Sequence, residues 1–228
     1  MARPESQRTT RSGDSFVGRK LTRPTALRFI SAYATSEPTL ILHPIDGLEF
    51  FPNRTIVAKR ASDPHDLLVD YAFRGLEQLP SESQSLIVSV GLLEHIPDPE
   101  RFVDDLQRIL RPGGRLVINC NCCFPIHEGP HDYFRYTPEG MRVLFRRWSR
   151  FEVLRGSCGP FTTIGILLQR ILMQCDIARP LRPLVGLMAH TFPRLDRFVR
   201  RQFASADWAP ETEYEWVLPA QIQAVVVK

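Results

Sequence analysis

Apolar positions in this chain fall in short, nearly continuous runs separated by turn residues. Thr39 to Leu42, Thr55 to Ala58, Leu67 to Val69 and Ser85 to Val90 have this character, which suits strands buried on both faces of a parallel sheet. The clearest unit runs from Ser85 to Cys120. Ser85 to Val90 predicts a strand, and Asp98 is placed to N-cap a helix with Pro99 at its first position. Phe102, Val103, Leu106, Ile109 and Leu110 then share one helical face. Arg111 is expected in the last turn, Pro112-Gly113-Gly114 stops the helix, and Arg115 to Cys120 predicts the next strand. Strand, helix and strand in this order make a parallel, right-handed crossover. A short helix from Thr25 to Tyr33, another opening at Thr137-Pro138 with Met141, Leu144, Phe145 and Trp148 on one side, a strand from Phe151 to Leu154 and a final strand from Ile222 to Val227 complete the pattern.

Two regions stand apart. Residues 1–23 hold Arg3, Arg8, Arg11, Arg19, Lys20 and Arg23 with few apolar residues, and read as a basic N-terminal arm preceding a single domain over 24–228. Between about 157 and 219 lies a helical insertion, expected to break at Pro180 and Pro183. Over 161–204 it carries seven arginines against two aspartates. Its apolar side should close over the strand ends while its arginines face outward, open to a partner or an anionic surface.

Composition narrows the class. The 228 residues, 43% of them hydrophobic and 24% charged, suit one globular domain with a full core. The net charge of +4 does not call for nucleic acid. No apolar run is long enough to span a membrane, and no apolar signal core opens the chain. Five cysteines, three of them crowded at Cys120, Cys122 and Cys123, make no disulfide framework, so a reducing cytoplasm is expected. Their C-x-C-C spacing lacks a second pair at ligand spacing, so no metal is expected from them.

Four motifs then occur in order: Leu76-Glu77-Gln78-Leu79-Pro80, Gly91-Leu-Leu-Glu-His-Ile-Pro-Asp-Pro99, Arg108-Ile-Leu-Arg-Pro-Gly-Gly-Arg-Leu116, and His127-Glu-Gly-Pro-His-Asp-Tyr-Phe-Arg-Tyr-Thr137. Over roughly residues 65–155 the chain resembles the class I S-adenosylmethionine-dependent methyltransferases of type 11. The resemblance implies a Rossmann-like methyltransferase fold, an α/β architecture. Its mostly parallel seven-stranded sheet ends in an antiparallel last strand, and the helical insertion precedes that strand. It implies S-adenosylmethionine as cofactor, held at the carboxyl ends of the strands, with His43, Gly47, Leu76, Glu77, Gly91 and Leu92 at cofactor-contacting positions. It also implies a small-molecule or glycan-type acceptor.

The first third departs from the family pattern. Where a glycine-rich turn should follow the first strand, the chain has Ile41-Leu-His-Pro-Ile-Asp-Gly47, with His43 for the usual acid and Ile45 for a glycine. Pro44 has no N–H to donate, and Asp46 would face the cofactor's carboxylate. Lys59-Arg60 stands where a ribose-binding acid is usual, and Leu86 where another acid is common. These losses keep a second reading open, a methyltransferase fold that no longer methylates and serves as a binding or scaffold protein. A phosphate-reading role for Lys59-Arg60 has no glycine-rich turn to support it.

The candidate chemistry lies at two strand ends. Glu94 and His95 follow the fourth strand, while His127, His131, Asp132, Tyr133, Arg135 and Tyr136 follow the fifth. Methyl transfer to oxygen or nitrogen needs alignment and often a base titrating near neutrality, which histidine supplies. His131 is the expected base with Asp132 setting its tautomer, His127 lines the acceptor site, and His95 stands at the rim. Arg135 would hold the loop or an acidic group of the substrate.

Overall fold

A computed structural model describes residues 21–43, 45–200 and 217–228. In chain order the elements are α1 (Arg23–Ser31), β1 (Thr39–Leu42), β2 (Arg54–Ala58), β3 (Leu67–Leu68), β4 (Gln84–Val90), α2 (Pro99–Ile109), β5 (Leu110–Asn121), α3 (Pro138–Leu144), β6 (Arg150–Ser157), α4 (Pro160–Gln174), α5 (Leu181–Thr191) and β7 (Gln221–Val227). The described strands form one seven-stranded sheet in the order β3-β2-β1-β4-β5-β7-β6. β1, β2, β3, β4 and β5 pair in parallel, and β7 runs antiparallel to both β5 and β6.

Both faces are covered, which is why the strands read as continuous apolar runs. Leu40, Leu42, Ile87, Leu116, Ile118, Ala224 and Val226 pack with Phe102, Val103 and Leu106 of α2 and Met141 of α3. On the opposite face Ile41, Ile56, Val88, Val117 and Val225 pack with Phe29 and Ile30 of α1. In register, Ile87 sits between Leu40 and Leu116 at the centre of the sheet.

The local stops differ from expectation in three places. Asp98 caps α2 as predicted, accepting from the Arg101 N–H at 3.2 Å, but the helix ends at Ile109 and Leu110 already belongs to β5. Arg111 is therefore not in the last helical turn. Pro112-Gly113-Gly114 forms an irregularity within β5, against the register shift between Gln84 and Leu86. A Cβ on Gly114 would stand 2.9 Å from the Arg111 carbonyl oxygen and 3.1 Å from that of Ser85, so only glycine fits. α3 closes at Leu144, and Phe145 and Trp148 reach the core from the turn beyond it. Pro183 does not break the insertion. It sits in the first turn of α5, where its missing N–H has no intrahelical partner to lose.

In the insertion, Asp196 caps α4, accepting from the Phe161 N–H at 2.8 Å, the Thr162 N–H at 3.1 Å and the Thr162 hydroxyl. Residues 1–20 and 201–216, with Arg201, Trp208 and Trp216 of the insertion, lie outside the described residues, as does Pro44.

Candidate active site

The carboxyl ends of β1, β4 and β5 meet at a cleft of about 920 Å³, closed on one side by Leu27 and Ile30 of α1 and on another by Arg170 of α4. β1 leads into it through His43, whose backbone is in the left-handed region at φ 67°, strained for a residue with a side chain. β4 leads in through Gly91, at φ 62°, where the absence of a side chain relieves that strain. After β1 the chain makes only a single 3-10 turn, Leu48–Phe50, entered by Gly47 at φ 87°. A Cβ on Gly47 would meet the Phe50 ring at 2.7 Å.

After β4, a 3-10 turn buries Leu93, Glu94 and His95. The loop after β5 folds over this turn, because the Glu94 carbonyl accepts from the Tyr133 and Phe134 N–H groups at 2.9 and 3.2 Å. Arg135 locks that loop. Its guanidinium pairs with both oxygens of Asp132 at 2.6 and 2.7 Å and donates to the carbonyls of Phe124 and Pro125, each at 2.9 Å. Arg135 is thus the holder of the loop, and its donors point at the chain rather than at the cleft.

Asp132 accepts in addition from the His127 N–H at 2.8 Å and lies 3.5 Å from His127 Nδ1 and 3.9 Å from His95 Nδ1. Burial alone would raise this carboxyl. The Arg135 guanidinium and the His127 N–H reverse that and hold it down to about 2. Each imidazole has a carbonyl at Nδ1: His95 donates to the His131 carbonyl at 2.5 Å and His127 to the Pro125 carbonyl at 3.2 Å. Their Nε2 atoms face each other at 3.2 Å. Burial lowers the pKa of both rings. Burial also lifts Glu94 to about 7, against a hydrogen bond that its Oε1 accepts from Asn121. Its Oε2 has no partner among the described residues.

The expected residues separate into two groups. His95, His127 and Asp132 converge, and His127 lines the cleft. His131 is held differently from its expected role. Its ring stacks on Tyr71 at 4.5 Å between centroids, its Nδ1 lies 3.2 Å from the Tyr133 hydroxyl, and the Asp132 carboxylate turns to His127 and His95. Of the expected cofactor positions, His43 and Gly91 line the cleft, Gly47 lies between the lining residues Asp46 and Leu48, and Leu76, Glu77 and Leu92 do not line it. Leu76 is in the core, with its carbonyl accepting from Arg108 at 2.9 Å, and Glu77 accepts from the Gly75 N–H at 2.8 Å.

Sequence reasoning missed Asn121, Glu128 and Arg170, all of which line the cleft. Asn121 joins Glu94 to a buried amide ladder with Gln221 and Asn119 on β7 and β5. Glu128 pairs with the buried Lys59 at 2.9 Å and the exposed Arg60 at 3.4 Å. Arg170, expected to face outward, lies with its guanidinium 4.4 Å from the centre of the Phe124 ring. Cys120 is buried in the core against Met141, and the described cysteines gather no metal-ligand group.

Residues 32–118 match the methyltransferase domain family of type 11. Ubiquinone biosynthesis O-methyltransferases of Coxiella burnetii and Xylella fastidiosa are 30% identical over 77 residues and 31% over 78. The match covers 33% of this chain in each case, and 33% and 32% of those proteins. The chain spans about a third of the length of the curated relatives it matches. Among solved structures, a SAM dependent methyltransferase from Archaeoglobus fulgidus superposes with a TM-score of 0.55 at 13% identity, covering 93% of this chain and 96% of that one. An S-adenosylmethionine dependent methyltransferase from Mesorhizobium loti gives 0.51 at 16%, covering 93% and 100%. At these identities the likeness is one of fold.

Proposed function

We propose that this chain, whose residues 32–118 match the methyltransferase domain family of type 11, uses S-adenosylmethionine to methylate a small-molecule acceptor. The observation that carries the reading is the cleft itself. It opens at the carboxyl ends of β1 and β4, and His127 lines it beside the buried Glu94 and His95. The residues present suit the cofactor in part. His43 Nδ1 is buried without a partner among the described residues, and Gly91 brings backbone to the cleft with no side chain in the way. His43, Gly47 and Gly91 would hold the group, with Leu76, Glu77 and Leu92 acting at one remove. When bound, the cofactor supplies an activated methyl group.

In this reading His127 meets the acceptor, Asp132 and Arg135 fix its position, and His131 shapes the loop through Tyr71. Arg170 brings a cation to the same cleft and favours an acceptor with an anionic group, sugar derivatives among the candidates. Five free thiols suit a reducing, cytoplasmic setting. Among the described residues no helix is long and apolar enough to cross a membrane. Leu181, Leu184 and Leu187 form an exposed row on α5, a face suited to peripheral contact with lipid.

The test is production of S-adenosylhomocysteine from S-adenosylmethionine with a panel of phenolic and sugar acceptors. Turnover that falls about 10²-fold or more in His127→Ala, with cofactor binding kept, supports the reading. The scaffold reading draws on Asp46, which lines the cleft where the cofactor's carboxylate would lie. No heat with millimolar S-adenosylhomocysteine would decide for it.

A further inference from the structure

Glu94, His95 and His127 leave an arrangement that methyl transfer by positioning alone does not require. His95 Nδ1 faces the His131 carbonyl at 2.5 Å, and His127 Nδ1 faces the Pro125 carbonyl at 3.2 Å and the Asp132 carboxylate at 3.5 Å, all of which can only accept. Each neutral ring therefore carries its proton on Nδ1. The two Nε2 lone-pair atoms then meet across 3.2 Å, with the Asn121 amide nitrogen 3.5 Å from His127 Nε2, and a cation shared by both would relieve their repulsion. The Glu94 carboxyl is fully buried beside them, and its Oε2 has no partner among the described residues. The ligand atoms of the three side chains lie within 4.8 Å of one another.

We propose that Glu94, His95 and His127 bind a divalent transition-metal ion, with zinc the best match. A tetrahedral zinc with nitrogens at about 2.0–2.1 Å sets two ligands about 3.3 Å apart, and the two Nε2 atoms already stand at 3.2 Å. Two imidazoles and a carboxylate are a ligand set that leaves a fourth position open in catalytic zinc sites. Here that position faces the cleft, because His127 lines it while His95 and Glu94 are enclosed. The surroundings complete the site. Metal-bound histidines commonly give their other N–H to a carbonyl or carboxylate. Both rings do so, with Asp132 within 3.5 and 3.9 Å of the two Nδ1 atoms. Small adjustments remain: the Asn121 amide now bonded to Glu94 Oε1 must yield space, and the carboxylate must close on the rings. The inference rests on the reading that an acceptor enters at His127, and says how it is held: an oxygen of the acceptor takes the open position on the ion.

The test uses the full chain, freed of metal by a chelator and titrated with Co²⁺ and Zn²⁺ without cofactor or acceptor. One ion per chain is expected. The cobalt spectrum should show d–d bands from nitrogen and oxygen ligands and no thiolate charge-transfer band, which separates this site from Cys122 and Cys123. His127→Ala should remove the bands, Asp132→Asn should weaken affinity about 10–100-fold, and His65→Ala, at an exposed histidine, should leave both unchanged. Where a variant misfolds, wild-type protein loaded with Cu²⁺ gives the answer, since pulsed electron paramagnetic resonance counts the coupled imidazoles and should find two. Absence of binding, binding indifferent to His127→Ala, or a shared proton between the rings in imidazole NMR of the chelator-treated protein at saturating zinc overturns the proposal. A parallel titration with S-adenosylhomocysteine keeps the two readings apart. Cofactor binding without metal sinks the metal site alone, and metal binding without cofactor upholds the site while removing the methyltransferase.

Discussion

Asp132 has a side chain only 2% exposed and yet stays ionised, because Arg135 and the His127 N–H surround it with donors. Its folded pKa of about 2 lies below the ordinary 3.8. The stabilisation it gives is therefore fully present above pH 4 and is lost as the pH falls from there to about 2. Removing this charge should cost about 2 kcal/mol at neutral pH. Urea denaturation of Asp132→Asn should show that loss at pH 7 and almost none at pH 2, and an equal loss at both would mean that packing, not charge, is what Asp132 supplies. The same residue shows why the Asp132 carboxylate lies at His127 rather than at His131. In sequence Asp132 is the neighbour of His131, but Arg135 draws the carboxylate under the loop, where it meets His127.

At the level of elements, the sheet was readable because burial on both faces leaves a strand no polar positions to disguise it, as Leu40-Ile-Leu42 and Ile87-Val88 illustrate. α2 was readable because a single apolar stripe faces the core. The site was less so. Convergence of His95, Asn121 and His127 depends on loop closure between residues up to 32 positions apart, and periodicity is blind to that. Arg170 was misplaced for a related reason: a helical arginine defaults to solvent unless an aromatic such as Phe124 lies opposite. α4 and α5 owe their contact to Gly165, where a Cβ would stand 2.6 Å from the Ala189 carbonyl oxygen and 3.2 Å from the Pro193 ring. Backbone cannot yield as a side chain can, so overpacking of about 1–3 kcal/mol should outweigh the roughly 1 kcal/mol gained by replacing a helical glycine. Gly165→Ala should accordingly lower the midpoint of thermal unfolding. Gly140→Ala in α3, with its nearest neighbour at 3.4 Å, should hold or raise it. If both changes stabilise, the α4–α5 contact is looser than described.

For the whole molecule, the question is how a complete sheet can coexist with an altered cofactor end. The seven described strands join in one sheet, because their pairing rests mainly on core residues outside the altered stretch 43–47. Ligand contacts depend on those residues directly. Asp46 lines the cleft and is answered by Arg23 at 2.6 Å, but the pair is about half exposed on each side and so only weakly neutralising. Each hydrogen bond missing to a charged group of the cofactor is worth about 1.5–3 kcal/mol. Calorimetry with S-adenosylhomocysteine should therefore give a dissociation constant looser than about 10 μM, and nanomolar binding would refute this account of residues 43–47. Asp46→Asn removes the charge opposite the ligand's carboxylate and should tighten binding several-fold at low salt. The gain should shrink as salt screens the charge. An unchanged dissociation constant in Asp46→Asn at low salt would mean that the carboxylate is held elsewhere in the cleft, with Arg170, which also lines it, the cation to test next.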